Sequence, residues 1–203
     1  MAEGIKIEIF KLKNADELTK SLADPESRLD TGSGAAMTAA LAMSLLERAA
    51  AITCESMPEN ERANYIFRNA ELLRSYMVHL IDEDVKARNP LRRALKEGDE
   101  RNIEAARQPA VAIPGEVINM VGQALELAKE LTALCPKDAM HYLGESAELS
   151  MAAIRAARMY IVDMSDKCSD DTYRYIVRRE NEITLKTCEE CAAQLIAAAE
   201  GAI

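Results

Sequence analysis

With 49% hydrophobic residues in 203, the chain can bury one sizeable core, and no Pro-, Gly- or Ser-rich linker divides it, so a single domain over 1–203 is expected. A net charge of −9 excludes general binding to nucleic acid, which needs a surplus of Lys and Arg facing the phosphates. There is no basic start followed by an apolar run, and the longest uncharged segment is internal and Ala-rich; neither signal peptide nor membrane span is predicted, and the reading is cytoplasmic.

Residues 1–13 alternate Ile5, Ile7 and Ile9 with charged residues, which reads as an extended arm. Asn14 is a plausible cap for a short helix through Leu22, broken by Asp24-Pro25. Next comes Asp30-Thr31-Gly32-Ser33-Gly34, a flexible turn feeding a helix of Ala, Leu and Met that lasts to about Ser56. With no charge between Ala35 and Leu46, this helix has no polar stripe and is expected at the centre, contacted on most sides. Gly32 and Gly34 tolerate positive φ, and Thr31 or Ser33 can cap the free N–H groups. The turn is therefore either a capped loop before a core helix or a ligand loop.

Pro58 fits a helix start, and Tyr65, Ile66, Leu72, Leu73, Tyr76, Met77, Leu80 and Ile81 recur at helical spacing as far as Arg88. Asn89-Pro90 is expected to interrupt this helix, leaving short pieces over 91–96 and 102–107 around Gly98-Asp99. Val117 to Leu134 gives another helical face, stopped by Cys135-Pro136. Helices over 137–164 and from Ser169-Asp170-Asp171 to the C-terminus complete an all-α bundle of about five long helices with short helical insertions.

Five cysteines without a dense framework fit reduced thiols. Cys188 and Cys191 form the one Cys-x-x-Cys pair. With no second pair and no nearby His, two small buried side chains at i, i+3 spacing are favoured over zinc. No nucleophile motif is visible, so carboxylates are the better candidates for chemistry. Asp82 and Asp84 point in different directions on a helix, and Asp84 sits beside the apolar stripe of Leu80 and Ile81, where desolvation would raise its pKa. The other reading is a solvated acidic helix end, locally unfavourable at a C-terminus and offset by Arg88, Arg92 and Arg93. His141, near a helix start, is either a structural residue or one that reaches a ligand; His79 has less to recommend it.

The order of the Gly-rich turn, Leu80-Ile81-Asp82-Glu83-Asp84-Val85-Lys86-Ala87, Ala105-Ala106-Arg107-Gln108-Pro109 and Cys135-Pro136-Lys137-Asp138-Ala139-Met140-His141-Tyr142-Leu143-Gly144 resembles the cyclodeaminase/cyclohydrolase family. That resemblance implies a helical homodimer acting on a tetrahydrofolate derivative as substrate, with no metal or cofactor. The family's Asp-x-x-Ala motif falls on Asp84 to Ala87 and marks Asp84 as catalytic, with His141 as a second proton donor. Gly32, Ser33 and Gly34 with Arg88 and Arg92 are the implied receivers of the anionic glutamyl tail, and Asp82 and Tyr142 complete the implied substrate contacts. Three departures from the family pattern are expected to meet at one pocket: the turn itself, Tyr142 where the family has Asp, and Tyr160 where it has Asn.

Overall fold

The computed structural model describes residues 9–202, and every regular element among them is helical. Chain order gives a 3-10 turn at Phe10–Leu12, then α1 (Ala15–Ala23), α2 (Thr31–Ser56), α3 (Glu61–Glu97), α4 (Glu100–Ala110) and α5 (Ala112–Leu131). A second 3-10 turn at Lys137–Ala139 precedes α6 (Met140–Asp166) and α7 (Asp171–Glu200). Five of the helices reach 20 residues or more, as the hydrophobic stripes predict. The helix starts are chemically specified. Asn14 and Glu17 form a reciprocal capping box, and the Asn60, Asp99 and Asp170 side chains accept from the first-turn N–H groups of α3, α4 and α7. Of the arm, Ile5 and Ile7 lie outside the described residues.

α2 packs most extensively on α3 and α6. Ala35, Ala36, Ala39, Ala42, Ala49 and Ala50 are buried along it with Met43 and Leu46, so neighbouring backbones approach without large side chains between them. Its length and hydropathy would also suit a membrane span, but the buried residues show it serving as the bundle's core helix. It is not enclosed on every side, contrary to expectation: Leu41 is 60% exposed. α6 runs antiparallel to α2. The Ser146 hydroxyl donates to the Ala42 carbonyl at 2.8 Å, and Arg48, later on α2, lies over Tyr142, earlier on α6. A Cβ on Gly144 would come within 2.8 Å of Ala199, so a bare backbone is needed where α6 meets α7.

Two sequence expectations need correction. α3 does not stop at Asn89-Pro90 but continues to Glu97. Pro90 lacks the N–H that would pair with the Lys86 carbonyl, yet both residues are exposed, where water serves that carbonyl. Beyond it, Leu91 and Ala94 are buried with Ile103, Ala106 and Ala110 of α4 in a second small core, which holds the last turns helical. Asp82, Glu83 and Asp84 therefore lie well inside the helix, not at a solvated acidic end, and no helix-end dipole penalty applies to them. The second correction concerns Gly32-Ser33-Gly34, which form the first turn of α2, with Asp30 as its cap. Among the described residues only Gly98, at the α3 C-cap, has positive φ (69°).

Candidate functional site

The first turn of α2 sits against the middle of α3, and small side chains make that approach possible. A Cβ on Gly32 would fall 2.1 Å from Asp84 Oδ1 and 2.6 Å from its Cγ. Gly32 is thus required for close approach, not for an unusual φ. Asp84, with no exposed surface, accepts from the Ser33 backbone N–H at 2.9 Å and lies 2.8 Å from the Ser33 hydroxyl. That hydroxyl is also 3.2 Å from the Ile81 carbonyl. It can donate to an ionised Asp84, or accept from a protonated one while donating to Ile81, so it has a partner in either state.

Arg88, one turn further along α3, joins this carboxylate to the cap of α2. Its guanidinium donates to Asp30 and stands 3.8 Å from Asp84 Oδ2, an ion pair beyond hydrogen-bonding reach. Asp30 also accepts from the Thr31 N–H and hydroxyl. The Tyr160 ring of α6 lies against Arg88 at 4.7 Å, within cation–π range. Burial raises the pKa of Asp84, and Arg88 and Ser33 only partly counter it. For Asp30 burial acts the same way but is outweighed by Arg88 and Thr31, so its pKa is lowered. Burial likewise raises the Tyr160 phenol. Two carboxylates around one cation thus differ in proton affinity because one is deep and one is at the rim.

A cleft of about 550 Å³ adjoins this cluster, lined among others by Leu22, Asp30, Thr31, Thr38, Arg92 and Ala156. Arg92 donates to the carbonyl of Arg28 at 2.8 Å, fixing the segment that leads into α2.

Ser33, Asp84, Arg88 and Arg92 are therefore brought together at the start of α2. The first-turn N–H groups expected to hold an anionic ligand are already engaged: Thr31 with Asp30, Ser33 with Asp84, and Gly34 with the Asp30 carbonyl. Asp82 faces elsewhere, its Oδ1 accepting from the Phe10 backbone N–H at 2.7 Å beneath the buried Phe10 ring. His141 and Tyr142 stack on each other near Arg48, fifteen residues along α2 from Ser33, or about 22 Å at 1.5 Å per residue. Because α6 is antiparallel to α2, its start meets the far half of α2; Tyr142 and Tyr160 do not share a pocket within one chain. His79 is half-exposed beside Glu83 on α3. Sequence reasoning passed over Asp30. Its position before a Thr-Gly helix start signals a cap, but its pairing with a residue 58 positions away has no sequence signature.

Among the described residues no three His, Cys, Asp or Glu side chains come together as a metal set. Cys188 and Cys191 are both buried against α5, and burial, with help from Glu126, pushes Cys191 up to about 11, leaving it a protonated packing group.

These features define an all-helical protein whose central helix begins on a buried carboxylate supplied by its neighbour. The family model described as formiminotransferase-cyclodeaminase matches residues 14–183, and the chain belongs to that family. In fold it is similar to the crystal structure of formiminotetrahydrofolate cyclodeaminase from Thermotoga maritima, with a TM-score of 0.85 at 19% identity, covering 94% of this chain and 98% of that one. No curated protein matches the chain.

Proposed function

We propose that this chain is a folate one-carbon enzyme that makes or breaks the methenyl bridge of a tetrahydrofolate derivative, with Asp84 as the proton carrier. The observation that carries this reading is Asp84 itself: a carboxylate inside a core, oriented by Ser33 and Arg88, whose burial raises its affinity for a proton above that of an ordinary carboxylate. In cyclohydrolysis, water adds to the methenyl carbon and gives a proton to Asp84, which returns it to the nitrogen as the C–N bond breaks. In cyclodeamination, a folate nitrogen attacks the formimino carbon, and its proton passes through Asp84 to the departing ammonia. Both substrates are cationic at the reacting carbon, and two carboxylates against one guanidinium leave the cluster net negative while Asp84 is ionised.

One assay tests both reactions. With purified protein, hydrolysis consumes the methenyl chromophore of methenyltetrahydrofolate, whereas deamination generates it from formiminotetrahydrofolate. One of the two signals is expected to change at a rate set by protein concentration. Saturable folate binding without either change would make the chain a binding module of the family, and no binding would remove folate from the proposal.

A homodimer belongs to the same proposal. The exposed Leu41 lies on a part of α2 that the bundle leaves bare. Light scattering at micromolar concentration is expected to give twice the chain mass, and Leu41→Lys to give a monomer; a monomeric wild type would contradict it.

A further inference from the structure

Three buried donors beside Asp84 have nothing to donate to. Arg88 Nε, Arg88 Nη1 and the Tyr160 hydroxyl are shielded from solvent, and none forms a hydrogen bond. Tyr160 is 8% exposed and Arg88 7%. Unpaired buried donors destabilise a fold, so three in one place are the mark of a guest that brings an acceptor. The cleft runs close by: Asp30, which Arg88 holds, Ala156, one turn before Tyr160, and Arg92, one turn after Arg88, all line it.

Chemistry narrows the guest. Arg88 already faces the carboxylates of Asp30 and Asp84, so an anion would put a third negative group around one cation, whereas a neutral oxygen adds lone pairs without charge. A protonated formimino nitrogen offers only N–H donors; it can pair with the unpartnered Asp84 Oδ1 but leaves the two Arg88 donors unserved. A formyl carbonyl, or the hydroxyl that water adds to a methenyl carbon, offers what the donors lack.

Resting on the folate reading above, we infer that Tyr160 contacts the substrate, and that its hydroxyl together with the Arg88 guanidinium receives the uncharged oxygen of a one-carbon group. The site thereby favours the oxygenated unit of cyclohydrolysis over the nitrogenous unit of cyclodeamination.

Tyr160→Phe keeps the ring over Arg88 and removes only the oxygen. The probes are 10-formyltetrahydrofolate and tetrahydrofolate, which differ by the formyl group alone, and formamide, which carries that group without the folate. Wild type is expected to prefer the formyl compound by about tenfold, the worth of one such hydrogen bond. The variant should lose that preference, hold its tetrahydrofolate affinity within about twofold, and melt no lower than wild type. A preference absent from wild type, or retained by the variant, overturns the assignment while leaving the folate reading intact. A lowered melting temperature with unchanged preference makes the hydroxyl structural and overturns it equally. If neither folate binds, yet formamide shifts NMR resonances around Tyr160 in wild type and not in the variant, the folate reading falls and the donor site stands. If formamide also moves nothing, both fall.

Discussion

At neutral pH Asp84→Asn is expected to lower turnover by at least about 100-fold, the usual contribution of a positioned acid–base group, while the protein melts at the same temperature as wild type or higher. Asn keeps an oxygen for the Ser33 N–H and hydroxyl and removes the charge that burial disfavours. The sign follows from linkage. Asp84 has a folded pKa above its ordinary 3.8, so between those two values the folded state binds the extra proton, and stability from this group falls as pH rises through the window and stays low above it. Asp30 works in the opposite sense: its folded pKa is lowered, so its contribution is present above the ordinary carboxylate value and is lost as pH falls through the lowered one. Melting curves from about pH 3 to about pH 8 should therefore show the Asn variant gaining on wild type as pH rises. A variant that loses ground with rising pH, or that turns over normally, would remove Asp84 from the role assigned to it.

Gly32→Ala carries the second large effect. The added methyl would overlap three atoms of the Asp84 carboxyl group, with none of the three farther than 2.9 Å. Asp84 is short and enclosed, so it cannot swing clear as the tip of a long surface side chain would; α2 and α3 must separate instead. Overpacking of this kind costs about 1–3 kcal/mol, against a gain of about 1 kcal/mol in helix propensity from replacing Gly. A drop in melting temperature of several degrees is expected, together with loss of activity, since Ser33 moves with the same turn. The cause can be isolated. In an Asp84→Ala background the carboxyl atoms are gone, so Gly32→Ala should there be nearly neutral or stabilising. An equal penalty in both backgrounds would place the clash elsewhere.

Hydrophobic spacing and capping residues were sufficient to read the helices, because both are local: the stripe of Ile66, Met77, Leu80 and Ile81, the Asn14 box and the Asp170 cap each lie within a few residues of the structure they specify. Pro90 misled because its effect depends on who serves the Lys86 carbonyl, which exposure decides and sequence does not record. In the site, Asp84 was legible from its place beside an apolar stripe and from the family motif. Its contact with Gly32 was not, since it depends on how closely two helices separated by fifty residues approach. The same gap placed Tyr142 and Tyr160 in one pocket, when the antiparallel run of α6 sets them at opposite ends of α2.

The pinning of Phe10 to Asp82 bears on where this protein can be cut. The family match begins at residue 14 and stops at 183, but the folded unit respects neither limit. A chain trimmed to those borders would lose the Phe10 N–H that reaches Asp82 Oδ1, uncovering a buried carboxylate two residues from Asp84 on the same helix. At the other end it would lose Cys188, Cys191, Leu195 and Ala199, the buried side of α7, and with them the cover over Gly144 and α5. Trimmed to those borders, the chain would therefore lose packing that the fold uses at both ends, and the loss at the N-terminal end would fall on the same helix that carries Asp84.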